Sequence, residues 1–492
     1  MGFAGRMLMF CGLALSLVGA SPQAPLDTVL ERMRAAAGMS DRAHVVSTRT
    51  FREGGVAITA RDETQGLQAL MQRCNDSICF GTYFDGDRLY SVNMNGTSLP
   101  RSVREEVYLR GLRVVTGGEF LEPAFGASGG HIEDRGIAHF DSRSYRRMDV
   151  TATDAVPMEV YVDPQTWLVA MTRDANEDAE FEFHDYRRVG AYRLPFAIDR
   201  DGRPFQRYTS RTVVPTPLRI PSGLVPALDS GGPLALDPHN PSPVGTCTIA
   251  GVQARCLIDT GNSGISMSLE LAEELRAPVV GAFEVNGLGH YATEVVSAGP
   301  LRVGNATFQQ AKYVVLHDIH AYGYDLVLGA DVLANARLTI DYAQHTASFA
   351  DPSRASEATG IPLTFANFVP IVPVELGALQ TQLAVDTGDQ SAINLAYDYY
   401  SEHTGLFRAT RRASVEGVGG TSIELLGEIP DARIGNFTVA SPGIGTTQTL
   451  TGTSDGHIGT GFLAHFRVVI DYAARRLLLF ARRGDTSVKT GP

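Results

Sequence analysis

Two short segments carry the chemistry that this chain suggests. Asp259-Thr260-Gly261 follows the apolar Ile258, and Asp386-Thr387-Gly388 follows Val385, 127 residues further on. Alone, each triplet also reads as a turn. Brought into contact, the two carboxyls do something a turn does not. They cannot both ionise cheaply, so they share one proton and one pKa rises. The charged member then takes a proton from a water held between them, and the protonated member donates to a carbonyl oxygen. That is general acid–base hydrolysis of an amide, with no metal and no covalent intermediate.

The segments around the aspartates repeat in order. Leu301-Arg302-Val303-Gly304-Asn305 returns as Ala432-Arg433-Ile434-Gly435-Asn436, an offset of 131. Asp325 to Gly329 returns as Asp455 to Gly459, and Arg337 to Tyr342 as Arg467 to Tyr472, both at 130. Four ordered matches at a nearly constant offset predict two homologous lobes, residues 245–350 and 370–482, paired about a pseudo-two-fold axis. The period is too long for a solenoid, and two copies make no array. The apolar residues before each Asp place it at the end of a buried strand, and the Gly allows the sharp turn that follows. Segments Ser268 to Leu275 and Leu395 to Glu402 read as helices after each turn.

Each Asp-Thr-Gly is followed by an apolar-apolar-Gly motif, Leu328-Gly329 and Ile458-Gly459, 70 and 73 residues later. This double pattern resembles the pepsin-like and retroviral-type aspartic proteases, and the short lobes look more like retroviral and bacterial exported members. The resemblance spans half the chain. It implies Asp259 and Asp386 as catalytic residues, supported by Thr260, Gly261, Thr387 and Gly388, with the threonines bonding across the lobes. The family usually has Ser, Thr or Ala next; this chain has Asn262 and Asp389. Asn262 is expected to donate to its Asp. An ionised Asp389 would add a third negative charge, unless it points to solvent, and would shift the optimum pH or reduce activity. The resemblance also implies Gly-rich flaps over an extended polypeptide, at Gly287, Gly289, His290 and Tyr291 and at Gly417, Gly419 and Gly420. Plain hairpin tips are the other reading of these glycines. A phosphate loop would need a following helix and usually a Lys, and neither is present.

Composition frames this reading. The chain has 492 residues with 44% apolar and 20% charged residues, ordinary for a globular protein of several domains. Its net charge of -12 argues against nucleic-acid partners. Arg6, the apolar run Met7 to Val18 and the small residues up to Ala20 read as a signal peptide over residues 1–20, cleaved after Val18-Gly19-Ala20. No later stretch is apolar enough to span a bilayer. The expected location is the periplasm of a Gram-negative bacterium, or otherwise the outside of the cell. Cys11 leaves with the signal. Cys74, Cys79, Cys247 and Cys256 remain, an even number for an oxidising compartment. If Gly251-Val252 is a hairpin tip, Cys247 and Cys256 stand directly opposite, and Cys74 with Cys79 closes a small surface loop. No Cys or His lies at ligand spacing to either pair, and His317 and His320 have no third partner at suitable spacing. Neither metal nor cofactor is expected.

The expected class is mainly β: an N-terminal helix with a curved antiparallel sheet, then two pseudo-symmetric retropepsin-like acid-protease lobes. Leu26 to Ala37 reads as an amphipathic helix. Alternating segments follow, such as Met158 to Val162, Trp167 to Arg173 and Glu180 to Phe183, with a turn at Asp163 to Thr166. A helix and a curved sheet resemble the periplasmic lipoprotein-carrier fold, most closely from Val162 to Phe196. Residues 21–214 form this β-rich accessory domain. Eight prolines between Pro215 and Pro243 mark a linker, residues 215–244, in which Leu234 to Leu236 reads as a first strand of the next domain. Residues 351–369 connect the lobes, and 483–492 form a tail. With both lobes in one chain, a monomer suffices. The expected function is an exported aspartic endopeptidase. Two alternatives stay open: a peptide-binding module that Asn262 and Asp389 have impaired as a catalyst, and a lipid or lipoprotein binder acting through the N-terminal domain.

Overall fold

The computed structural model describes residues 24–490 apart from 39–42, 54–55, 76, 102, 141–142, 175–178, 287–288, 353–359 and 448–453. The expected signal peptide, residues 1–20, with Cys11, and Gly287 lie outside the described residues.

The N-terminal half is built from two seven-stranded antiparallel meanders. One runs from His44–Glu53 through the hairpin Gln68–Asn75 and Ile78–Phe84 to Ser98–Pro100, with Ser210–Val214 returning to pair with its first strand. The other runs from His131–Phe140 to Arg203–Arg207. Alternation of buried and solvated residues gives each meander one apolar face. Helix Leu26–Ala37 lies against these faces through Val29, Leu30 and Met33. Gly38, at φ 73°, ends it in the left-handed turn that suits glycine. The sequence reading missed a second helix, Val103–Thr116, which adds Val114 and Val115 to the same core.

The proline-rich stretch is not a free linker. Its Ala227–Leu228 pairs with Ala306–Phe308, and Leu234–Ala235 pairs with Thr346–Ala350. Both strands are two residues long, each starting directly after a proline, Pro226 and Pro233.

The C-terminal half holds a ten-stranded and an eleven-stranded sheet, one per lobe, joined by a six-stranded sheet. At the centre of that joining sheet Arg337–Asp341 runs antiparallel to Phe466–Asp471. Arg337 pairs with Asp471 and Asp341 with Arg467, so the repeated Arg and Asp exchange places across the axis. One continuous core runs through both lobes, from Ile249 and Phe308 to Ile434 and Phe466.

Both cysteine pairs are disulfide-bonded. Cys74 and Cys79 face each other in register at a hairpin end, with Cα atoms 4.0 Å apart. The other hairpin turns at Ala250-Gly251, not at Gly251-Val252, with φ of 47° and 87° as a two-residue turn demands. Cys247 therefore faces Ala254, and Cys256 faces Gly245. The two cysteines are diagonal neighbours on one face, 6.0 Å apart at Cα, still within bonding reach.

Candidate active site

Each repeated aspartate ends a buried strand. Val252–Ile258 lies parallel to Leu326–Leu328, and Leu379–Val385 lies parallel to Gly456–Ile458. The Asp259 N–H donates to the Leu328 carbonyl and the Asp386 N–H to the Ile458 carbonyl, each at 2.9 Å. The glycines after these partner strands have a steric cause. A Cβ on Gly329 would overlap the Asn262 carbonyl, and one on Gly459 would overlap the Ser391 carbonyl. The Asp turn and the distal Gly are thus two sides of one closed loop.

The two turns meet face to face. The Thr260 N–H donates to Thr387 Oγ1 and the Thr387 N–H donates to Thr260 Oγ1, each at 3.1 Å. Thr260 Oγ1 donates to the Val385 carbonyl at 2.6 Å, and Thr387 Oγ1 to the Ile258 carbonyl at 2.7 Å. Both threonines are fully buried. A Cβ on Gly261 would stand 2.5 Å from the Asp386 carboxyl carbon, and one on Gly388 would stand 2.6 Å from that of Asp259. Only glycine lets each carboxyl lie over the opposite turn.

Asp259 and Asp386 consequently hydrogen-bond each other through their side chains. Burial, then the Asp386 charge, then that shared hydrogen bond push the Asp259 carboxyl well above the usual range. Backbone donors to Asp259 pull the other way. The Gly261 N–H donates to Asp259 Oδ1 at 2.8 Å, and the N–H groups of Gly388 and Asp389 donate to Asp386 Oδ1 at 2.9 and 3.1 Å. A pair of this kind holds one proton and one charge between two fixed oxygens.

The fourth positions differ from expectation. The Asn262 side chain turns from Asp259 to Ser266 Oγ at 3.3 Å, because its own Oδ1 is taken by the Gly264 N–H. Its backbone N–H, not its amide, reaches Asp259. Asp389 neither points freely to solvent nor stands as an unopposed third charge. Its carboxyl contacts His457 Nε2, and its carbonyl accepts from Thr460 N at 2.7 Å and Thr460 Oγ1 at 2.9 Å. Nothing in the sequence pairs Asp389 with His457. They lie 68 residues apart and meet only because strand Gly456–Ile458 runs beside the Asp386 loop.

The Gly-rich segments end two hairpins, Val279–Asn286 with His290–Ala298 and Arg408–Gly417 with Gly420–Glu428. Rooted on opposite lobes, their tips touch: a side chain on Gly289 would overlap Gly419. Gly419, at φ 84°, donates its N–H to Asp318 Oδ2 at 2.7 Å, and Tyr322 donates to the Gly417 carbonyl at 3.3 Å. Gly420 continues the second hairpin with open space around it. His290 is exposed, while Tyr291 is half-buried and stacks on His317 with ring centres 5.1 Å apart. His317 also reaches Thr293, and His320 pairs with Asp325.

Sequence reasoning also missed the contacts from the N-terminal domain. Ile78 and Phe80, on the disulfide-closed hairpin, reach the outer strand of the first flap. A Cβ on Gly281 would meet Ile78, and Phe80 lies 5.8 Å from Phe283 between ring centres. Nearby, Asp331 is fully buried and accepts from Asn93 Nδ2 and Asn95 Nδ2, each at 2.6 Å, and from Thr97 Oγ1 at 2.5 Å.

Among curated proteins, none matches this chain. The N-terminal part is similar to a LolA superfamily protein from Nitrosomonas europaea, at 11% identity over 40% of this chain and 96% of that one, with a TM-score of 0.28. The chain is also similar to a DUF1329 family protein from Desulfovibrio piger, at 9% identity over 39% of this chain and 93% of that one, with a TM-score of 0.27. Residues 245–335, which carry the first Asp-Thr-Gly and its partner glycine, match the family model described as "gag-polyprotein putative aspartyl protease".

Proposed function

We propose that this chain is an aspartic-type endopeptidase that activates water between Asp259 and Asp386 to hydrolyse peptide bonds. The mutual contact of the two carboxyls, braced by reciprocal threonine bonds, carries the reading. The charged carboxyl accepts a proton from the attacking water, and the protonated one donates to the substrate carbonyl oxygen. The substrate is an extended polypeptide whose backbone pairs with the flap strands. The tips in contact represent the closed arrangement, and flexible glycines suit a lid that must part to admit it. Two disulfides suit an exported protein in an oxidising compartment.

Cleavage of an unfolded polypeptide by the purified mature protein tests this. Asp259→Asn and Asp386→Asn should each abolish turnover in a folded protein. Unaltered cleavage in either variant removes the assignment. Tight peptide binding without turnover in the native protein would instead favour a binding module.

A second reading rests on a separate observation. The N-terminal domain encloses a cavity of about 590 Å³ between its helices and sheets, walled by Met33, Val115, Phe120, Trp167, Phe183 and Tyr192. Arg113 also lines it; burial lowers this guanidinium to about 10, and the Gly66 carbonyl accepts from it at 2.6 Å. Such a space suits an amphipathic guest, so the accessory domain would carry a lipid or lipid-modified ligand. Lipid retained by the purified full chain, and released when Val115→Arg fills the cavity, would support this role. Lipid-free protein that binds no vesicle lipid would remove it.

A further inference from the structure

The two lobes differ most where symmetry would matter most, behind the aspartates. Position by position, Asn262 becomes Asp389 and Val327 becomes His457. Counting along the flaps from the equivalent paired positions Val296 and Gly427, Thr293 becomes Glu424. Lobe 1 is neutral at all three places, and lobe 2 is charged or ionisable at all three. These lobe-2 residues are not surface charges. His457 and Glu424 are 9% and 4% exposed. His457 contacts the Asp389 carboxyl, and Asn394 Nδ2 holds Glu424 at 3.1 Å. The Asp389 N–H meanwhile donates to Asp386 Oδ1, so this set is tied to one member of the catalytic pair only.

We propose that the Asp389–His457 ion pair is a positioning device that decides which catalytic carboxyl keeps the proton, placing the charge on Asp386 and the proton on Asp259. This rests on the hydrolase reading above. It assigns Asp386 as the base that takes the water proton and Asp259 as the acid that donates to the carbonyl oxygen. Three carboxyls face His457: Asp389 from the catalytic loop, Asp386 beside it and Glu424 from the flap strand. Burial pushes the imidazole down, but these three outweigh it and hold it above the usual histidine range. Burial likewise pushes Asp389 up, and the His457 contact and charge outweigh that and hold it below the usual range. The pair is therefore charged across mildly acidic pH. With His457 cationic, Asp389 cannot act as an unopposed third negative charge. Lobe 1 has no counterpart: Asn262 and Val327 stand where lobe 2 has Asp389 and His457.

The test is the pH profile of peptide cleavage in the full chain. Removing the cation with His457→Gln should move the acid limb up by about one pH unit, because Asp389 then opposes ionisation of the pair. Asp389→Asn should move it down by a similar amount, since the cation is left alone. The double variant Asp389→Asn/His457→Gln should lie between the singles. A structural role alone would lower activity without moving the limbs in opposite directions. Profiles that stay put, or that shift in the same direction, overturn the proposal while leaving the hydrolase intact. A second readout does not need activity: NMR titration of the His457 ring, assigned by its loss in His457→Gln. It should titrate above the ordinary value of 6.5 in the native chain and return toward that value in Asp389→Asn. An ordinary titration in the native chain overturns the proposal whether or not the protein cleaves anything.

Discussion

Replacing Thr387 with Val isolates the bracing between the lobes. Valine has nearly the same shape but cannot donate or accept. Two bonds vanish: the one from Thr387 Oγ1 to the Ile258 carbonyl at 2.7 Å and the one from the Thr260 N–H at 3.1 Å. The site is fully buried, so water does not replace them. Losing an ordinary hydrogen bond costs about 1 kcal/mol, and leaving the buried Thr260 N–H unpaired costs about 1–3 kcal/mol, giving a total of about 2–4 kcal/mol. The same change frees the Asp386 turn from the Asp259 turn. A displacement of order 1 Å at a reacting pair costs about a hundredfold in rate. Denaturant unfolding of the C-terminal half gives the first number, and kcat on a peptide substrate gives the second. Thr387→Ser is the control, since it keeps the hydroxyl and should stay within about 1 kcal/mol and a few-fold of the native protein. Should Ser prove as damaging as Val, the methyl packing and not the hydroxyl bonds would hold the lobes together. Should Val cost less than about 0.5 kcal/mol, the crossed bonds would contribute nothing measurable.

Asp259→Asn should abolish cleavage yet stabilise the fold at neutral pH. The native carboxyl is pushed up by burial and by Asp386, so its stabilising share is complete only below the ordinary carboxylate value of 3.8 and is lost as pH rises through the folded value. The gain in the variant should therefore grow as pH rises above the ordinary value of 3.8, read from melts across pH 4–8. Ile78→Asp places a charge against the first flap at Gly281 and forfeits about 2 kcal/mol of burial. Amide exchange across Val279–Asn286 and His290–Ala298 should then quicken roughly tenfold or more, and unchanged exchange would mean that the hairpin merely rests there. Asp331→Leu removes the acceptor of three side-chain donors, at a cost of about 1–3 kcal/mol for each buried donor left unmet. Limited proteolysis should then nick the 215–233 stretch, and resistance equal to the native chain would show that other contacts hold the domains.

The pair of lobes was legible because duplication writes the same geometry twice. Offsets of 127 to 131 over four segments leave little freedom, and the strand registers repeat with them. Ser268 was visible as a helix start, and it does cap Leu269–Glu274 by accepting from Leu271 N. The second helix of the accessory domain was not legible. Val103–Thr116 carries four arginines and glutamates on its first two turns, which masks its apolar stripe. The hairpin tip was misplaced by one residue because Gly251 suits either turn position, while Ala250 at positive φ is a poor signal. Asp389 with His457 was out of reach for a different reason. A contact across a parallel strand pair depends on the whole crossover between them, and neither residue looks unusual in its own segment.

Asp331 and its counterpart show how a duplicated scaffold takes on unequal tasks. Gly461 occupies the Asp331 position in lobe 2, where a Cβ would stand 2.8 Å from the Ala392 N and leave no room for a side chain. In lobe 1 the same place holds a buried carboxyl that would be costly on its own and is tolerable only because the Asn93 to Thr97 turn of the accessory domain supplies its donors. That turn is further pinned by Lys312, whose N–H donates to Asn95 Oδ1 at 2.9 Å and whose ammonium donates to the Met94 carbonyl at 3.1 Å. Each side leaves buried polar groups unmet without the other, so these two surfaces specify one another, whereas an apolar contact would tolerate sliding. The disulfide-closed hairpin that leans on the first flap belongs to the same sheet as this turn, one strand removed. A rigid sheet with its turn locked into Asp331 holds its hairpin at a fixed place against Gly281. The accessory domain thus grips the flap-bearing half of lobe 1 at two points, while lobe 2 keeps the charges behind Asp386. Symmetry supplies the meeting of the carboxyls, and the departures from symmetry give lobe 1 the buried Asp331 that anchors the Asn93 to Thr97 turn and lobe 2 the Asp389–His457 pair.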